Sequence, residues 1–205
     1  MSHYFEAPTG QARQRSISAT IWGRDYQFTT ANGVFSGARL DPGTAVLFSE
    51  TAPPATAQRV ADVGCGYGPI AVALATHCPQ AHVDAVDVNP RALELTATNA
   101  DQAGVGHRVR PLSPGQVDQS ARYDQIWSNP PIRIGKQALH DLLLEWLPRL
   151  ATDGQAWLVV GKNLGADSLQ RWLIDQGYRC ERWASSKGFR VLLVTHSTPG
   201  GGVGG

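Results

Sequence analysis

Asn129-Pro130-Pro131-Ile132 is the stretch whose residue types and order carry the most chemistry. Two consecutive prolines bar helix and strand, and they hold the preceding carbonyls outward as free acceptors. A planar amine conjugated to a ring or a carbonyl has two N–H donors and a delocalised, weakly nucleophilic lone pair. When its nitrogen attacks an electrophilic carbon it becomes positive, so the step needs acceptors rather than donors. The Asn129 side-chain oxygen and the Pro130 carbonyl can each take one N–H, aim the lone pair and stabilise the growing charge. No strong base is required, because the alkylated nitrogen is itself acidic. A rigid turn without chemistry is the plain alternative, and its placement beside a ligand motif argues against that.

The ligand motif is Val60-Ala61-Asp62-Val63-Gly64-Cys65-Gly66-Tyr67-Gly68-Pro69-Ile70. It reads as an apolar strand, a glycine-rich turn and a helix beginning near Pro69, where proline's fixed φ suits the first turn. The dinucleotide fingerprint is G-x-G-x-x-G. Here the third glycine, Gly68, comes one residue early, and an acid, Asp62, precedes the first glycine, as in S-adenosylmethionine enzymes. A second strand ends in Asp87, 23 positions after Gly64, where a ribose diol is usually held. Asp62, Gly64, Cys65, Gly66, Gly68, Asp87 and its neighbour Val88 form the expected cofactor surface, Cys65 as a small packing residue.

Bulk properties bound the rest. The chain has 205 residues, 42% hydrophobic content and a net charge of +1, enough for one full core and too neutral for a strongly basic nucleic-acid binder. That balance permits an RNA partner without advertising one. Cys65, Cys78 and Cys180 are odd in number and lack metal spacing, which fits a reducing cytoplasm and no metal. No signal peptide or membrane-length apolar run is present, so a soluble cytoplasmic protein is expected.

The elements that must position these motifs alternate strand and helix. Residues 16–30 read as a hairpin turning at Gly23-Arg24, with a second turn at Asn32-Gly33. A helix to about Glu50 opens at Asp41-Pro42-Gly43-Thr44, with Asp41 or Thr44 as its cap. Strands at 59–63, 81–87, 107–112, 123–127 and 155–161 and helices at 69–77, 90–103, 137–151 and 165–176 follow. The helix at 137–151 is read as ending at Asp153-Gly154, and strands near 179–185 and 189–195 close an antiparallel pair. This pattern predicts an α/β doubly wound, Rossmann-like sheet with the hairpin as a cap that touches substrate or, as the plainer reading, covers one sheet edge. The expected divisions are 1–40 (extension and hairpin), 41–196 (main domain) and 197–205 (a glycine-rich tail). His3-Tyr4-Phe5 is a possible docking pair, and His77, His107 and His140 receive no chemistry.

On Gly33-Val34-Phe35-Ser36, Asp41-Pro42-Gly43-Thr44, the glycine turn, Asn129-Pro130-Pro131-Ile132 and Gly188-Phe189-Arg190-Val191-Leu192, the chain resembles the methyltransferase small-domain family. Well-known bacterial members are 16S ribosomal RNA guanine-N2 methyltransferases, and the resemblance is strongest to short, single-domain members. It implies a class I methyltransferase fold, a seven-stranded, mostly parallel sheet with the last strand reversed, and S-adenosylmethionine as cofactor. Asn129, Pro130, Pro131 and Ile132 become the catalytic stretch. Thr44 stands where related enzymes place a hydroxyl near the methionine carboxylate. Arg133 and Lys136 are expected to grip phosphates beside a flipped nucleotide, with Lys162 and Arg190 as further RNA contacts or rim residues.

Two departures stand out. Ile132 replaces an aromatic residue that in many relatives stacks on the base. Ser113-Pro114-Gly115 stands where relatives place an Asp for the adenine amine, so Ser113 inherits that contact and cofactor binding should be somewhat weaker. The expected activity is methylation of a guanine exocyclic nitrogen in 16S ribosomal RNA or the small subunit, by a monomer. The same acceptors would serve a protein glutamine amide, and a catalytically silent RNA- or ribosome-binding module is the third reading. A nicotinamide oxidoreductase is disfavoured by the glycine spacing and by Asn-Pro-Pro.

Overall fold

A computed structural model describes residues 14–34, 39–130 and 135–197 of the chain. The chain opens with β1 (Gln14–Ile21) and β2 (Arg24–Ala31), then α1 (Pro42–Glu50). Strand–helix alternation follows: β3 (Arg59–Val63), α2 (Pro69–His77), β4 (His82–Val86), α3 (Pro90–Gln102), β5 (Val109–Leu112) and β6 (Tyr123–Ser128). Next come α4 (Lys136–Trp146), β7 (Leu150–Gly161), α5 (Ala166–Asp175), β8 (Tyr178–Ser186) and β9 (Phe189–His196). The main sheet runs β5-β4-β3-β6-β7-β9-β8. β9 is antiparallel to both its neighbours, while β3 to β7 are parallel. This is the class I Rossmann-like methyltransferase architecture, with the last strand of the chain reversed.

Alternate residues of each strand feed two cores. Val60, Val83 and Ala85 join the helices α1, α2 and α3 on one face. Ala61, Val63, Val86, Ile126 and Leu158 join α4 and α5 on the other. Both faces being covered explains why these strands read as apolar runs rather than as alternating ones.

The hairpin departs from expectation in two ways. Its turn is Trp22-Gly23, with φ of 47° and 78°, the left-handed pair that matches strand twist in a two-residue connection. It pairs with neither edge strand of the main sheet; Ile17, Ile21, Tyr26 and Phe28 are buried in the core shared with α2 and α3. The Trp22 indole N–H lies 3.1 Å from the Phe48 carbonyl and 2.9 Å from the Thr51 carbonyl, satisfying acceptors at the end of α1.

The helix expected over 137–151 also ends earlier. α4 stops at Trp146, and a short 3-10 turn, Leu147–Arg149, contains Pro148, which cannot donate to continue the ladder. Asp153-Gly154 lies inside β7 instead of ending a helix. A Cβ on Gly154 would stand 2.8 Å from the Tyr123 carbonyl, so glycine is there for close passage of β7 past β6.

Candidate active site

The sheet order changes direction at β3: the chain moves outward through β4 and β5, then returns to place β6 on the other side. Such a switch leaves a crevice at the carboxyl ends of the two adjacent strands. The glycine turn follows β3 and Asn129 follows β6, so topology alone makes the two motifs neighbours. The Ser128 hydroxyl donates to the Val63 carbonyl at 2.6 Å, tying the strand ends together. One cleft is lined by Asp41, Thr44, Gly64 to Tyr67, Pro69, Ile70 and Asn129.

The turn is held from beneath and behind. Gly64 and Cys65 N–H groups both donate to the Val86 carbonyl, at 2.8 and 3.0 Å. The Gly66 N–H donates to Asp87 Oδ2 at 2.9 Å, and Asp87 Oδ1 accepts from the Asn89 N–H at 2.9 Å. Burial pushes the Asp87 carboxyl above its ordinary range, opposed by these N–H donors. Gly66 has φ +58° and open space where a Cβ would stand, whereas a Cβ on Gly68 would meet Thr96 Cγ2 at 2.8 Å. Gly66 thus keeps the cleft side clear, and Gly68 lets the turn approach α3.

Asp62 is fully buried and does not line the cleft. Its Oδ2 accepts from the Ala71 N–H in the first turn of α2 at 3.0 Å, while among the described residues Oδ1 has no partner. Loss of hydration raises its pKa to about 8; the Ala71 N–H opposes this and the Asp87 charge adds to it. Burial likewise pushes the Cys65 thiol well above its usual value, with Asp62 and Asp87 reinforcing the shift, which leaves an inert packing group. Val88 is 55% exposed. Ser113, beside β4 at the end of β5, donates through both its N–H and its hydroxyl to Gln116 Oε1, at 2.9 and 3.0 Å.

Across the cleft sits a set of hydrogen-bonded side chains joining α1 to the end of β6. Asp41 caps α1: its Oδ1 accepts from Gly43 N–H at 2.8 Å and Thr44 N–H at 3.1 Å. Thr44 is therefore not the cap, and its hydroxyl is released for another task. Asn129 Nδ2 donates to Asp41 Oδ1 at 2.6 Å and to the Thr44 hydroxyl at 2.9 Å. Both amide hydrogens are thereby consumed. Among the described residues the amide oxygen has no donor, so a bound group is left facing an acceptor. Gly43 makes the approach possible: a Cβ there would stand 3.0 Å from Asp41 Oδ1 and Phe189 Cε1 and 3.3 Å from Asn129 Nδ2.

Several groups here were missed in the sequence. In the sequence Asp41 shows as a cap candidate and as part of a family motif, but a carboxylate at a helix start carries no mark of a partner 88 positions away. Tyr67 lines the cleft with a buried hydroxyl that has no partner among the described residues; burial raises its pKa, with the Asp41 charge adding to it. Asn99, on α3, clamps turn to hairpin: its Nδ2 donates to the Tyr67 and Thr29 carbonyls at 2.7 and 2.9 Å, and its Oδ1 accepts from the Thr29 N–H at 2.7 Å. Pro131, Ile132 and Arg133 lie outside the described residues, as do His3-Tyr4-Phe5, Phe35-Ser36 and residues 198–205. Lys136 opens α4 and lines a different cleft. Lys162 and Arg190 are not in the lining. Among the described residues no cluster of metal-ligating side chains occurs, and no helix is long and apolar enough to cross a membrane.

Comparison with known proteins is consistent with this geometry. The family described as Methyltransferase small domain matches residues 25–193. The uncharacterized protein YbxB of Bacillus subtilis (strain 168) is 34% identical over 168 residues, 81% of this chain and 84% of that one. Ribosomal RNA small subunit methyltransferase C of Acinetobacter baumannii (strain AYE) is 30% identical over 188 residues, 88% of this chain. The chain spans about half that relative's length, 54%. Among solved structures, the T. thermophilus 16S rRNA N2 methyltransferase RsmC, in complex with AdoMet and guanosine, superposes with a TM-score of 0.76. That match has 21% identity and covers 93% of this chain and 52% of the other. With that family model matching residues 25–193 and a relative 34% identical over 81% of the chain's length, this chain belongs to the methyltransferase small domain family.

Proposed function

We propose that this protein transfers a methyl group from S-adenosylmethionine to the exocyclic N2 of a guanine in 16S ribosomal RNA. The observation that carries the reading is the double donation of Asn129 Nδ2 to Asp41 and Thr44, which presents Oδ1 as an acceptor beside the glycine turn. The cradle fits the cofactor. Gly66 leaves open space on the cleft side, and the α2 N-terminus is capped by Gly68 with no side chain over it. Gly64, Cys65 and Gly66 would hold the cofactor directly, Asp87 would reach its ribose, and Ser113 its adenine. Asp62 would act by fixing the turn to α2. When bound, the cofactor supplies an electrophilic methyl on a sulfonium.

Asn129 Oδ1 and the Pro130 carbonyl accept the two N–H groups of the target amine, which points its lone pair at the methyl and stabilises positive charge on nitrogen. Pro131 stiffens the turn, and Ile132 supplies an aliphatic contact to the base. Arg133 and Lys136 hold flanking phosphates. Residues 41–196 form the catalytic unit, with the hairpin as a cap and the segment after 196 as a tail. The partner is ribosomal RNA or the small subunit, and the enzyme works as a cytoplasmic monomer.

The test is label transfer from methyl-labelled S-adenosylmethionine to separated 16S RNA, 23S RNA, ribosomal subunits, tRNA and total protein, followed by nucleoside and amino-acid mass analysis. N2-methylguanosine in 16S RNA or the small subunit is expected. Label in protein glutamine would replace the RNA reading, and cofactor binding without transfer to any fraction would make the fold a silent module.

A further inference from the structure

A second cleft lies beside the first, over the carboxyl ends of the neighbouring strands β6 and β7. The first turns of two helices meet there: Gly135, Lys136 and His140 from α4, and Gly165 and Ser168 from α5. Both helices are capped by glycines in positive-φ conformations, at 87° and 92°, and among the described residues neither cap is covered by a side-chain hydrogen bond. Two sets of N-terminal N–H groups are thus left without an intrahelical acceptor at one place, each at the positive end of a helix dipole.

A second observation points to a ligand. His140 is only 8% exposed and stacks on Trp172, with ring centroids 3.7 Å apart, yet among the described residues neither of its ring nitrogens has a hydrogen-bond partner. Burial, and then the Lys136 charge, hold its pKa below the ordinary value. The unpaired ring nitrogens are reachable from the cleft that His140 lines, so an anion seated there can accept a hydrogen bond from the imidazole. Among the described residues no carboxylate lines the cleft. Asp167, in the first turn of α5, is engaged by Arg182 at 2.8 Å and Arg190 at 3.2 Å. The Ser168 hydroxyl, which donates to the Gly165 carbonyl at 2.8 Å, retains its oxygen lone pairs and can rotate its proton toward a ligand.

We propose that this cleft binds a phosphodiester of the RNA strand next to the target nucleotide, with the α4 and α5 N-termini, Lys136, His140 and Ser168 as its donors. The proposal rests on the RNA reading above and extends the role of Lys136 to a built site. A phosphate seated here anchors the strand, so backbone contact positions the nucleotide while the first cleft performs the chemistry.

The test has two arms. In the first, inorganic phosphate is titrated into the protein while amide signals of Lys136 and residues 166–168 and the His140 imidazole signals are followed by NMR. In the second, binding of 16S RNA by wild type, Lys136→Ala and Ser168→Ala is measured across a salt series. The expected result is saturable shifts at those groups, together with a roughly threefold to tenfold loss of RNA affinity in Lys136→Ala. The logarithmic salt slope should also fall by about 0.7 to 0.9. Ser168→Ala should weaken binding without changing that slope. Wild-type RNA binding with both variants indistinguishable from it would overturn the cleft and leave the RNA reading standing. Phosphate shifts with no RNA binding by wild type would mean a free-anion site and would sink both.

Discussion

At the scale of single residues, the account turns on an amide whose orientation is fixed by its neighbours. Asn129 alone offers either an oxygen or a nitrogen to a ligand. Asp41 and Thr44 remove the choice by accepting both amide hydrogens. Thr44→Val deletes one of these acceptors in a buried place, and a hydrogen bond of this kind contributes about 1 kcal/mol. The variant should lose roughly threefold to tenfold in turnover with cofactor affinity nearly unchanged, as read by steady-state kinetics and calorimetric titration. An unaltered turnover would show that Thr44 does not orient the amide. Asp62 makes a prediction about pH. The folded chain keeps its proton up to about pH 8, whereas an unfolded aspartate loses it near pH 4. The folded state therefore binds more protons across that window, and the Asp62 contribution to stability falls as pH rises through it. Asp62→Asn, which cannot ionise, should gain in melting temperature relative to wild type between pH 5 and pH 8. Parallel melting curves over that range would contradict the assignment.

At the scale of elements, the glycine turn is a shaped object held by its surroundings rather than a flexible loop. Gly68→Ala would drive a methyl into Thr96 and force a side chain into a left-handed conformation, at a cost of about 1–3 kcal/mol. Gly66→Ala meets no atom within 4 Å, so the methyl intrudes on the cleft. Thermal unfolding should rank Gly68→Ala as the less stable, and cofactor titration should rank Gly66→Ala as the weaker binder; the opposite ranking would reverse the roles. Asn99→Ala would strand the Tyr67 carbonyl and both backbone groups of Thr29. A loss of roughly 2–4 kcal/mol is expected, measured by chemical denaturation.

The elements that the sequence revealed best are those whose signals are local. Pro69 and Asn89-Pro90 marked helix starts because a proline at the first turn has one conformation and one place. Asp153-Gly154 misled because a helix stop and a close backbone crossing demand the same residue. The hairpin misled for a longer-range reason. Its buried face, Ile17, Ile21, Tyr26 and Phe28, says that it packs against something but not against what. The partner is set by α2, α3 and the Asn99 clamp, which periodicity cannot name. The Asn-Pro-Pro-Ile tetrapeptide and the glycine turn are legible as motifs, whereas Asp41 and the paired helix starts at Gly135 and Gly165 acquire meaning only once strands bring them together.

At the scale of the whole molecule, the order β5-β4-β3-β6-β7-β9-β8 does the assembling. It seats two motifs, separated by more than sixty positions in the chain, at one switch point, and sets a second cleft beside them over β6 and β7. The measurement that tests the central claim most directly is the single-turnover rate of methyl transfer by Asn129→Ala, taken with saturating cofactor and the RNA identified by label transfer. The expected rate is lower by roughly one to three orders of magnitude, as for the loss of an electrostatic partner at a transition state, with the cofactor dissociation constant nearly unchanged. A near-wild-type rate with the cofactor bound would contradict it, because the acceptor held by Asp41 and Thr44 would then play no part in the transfer.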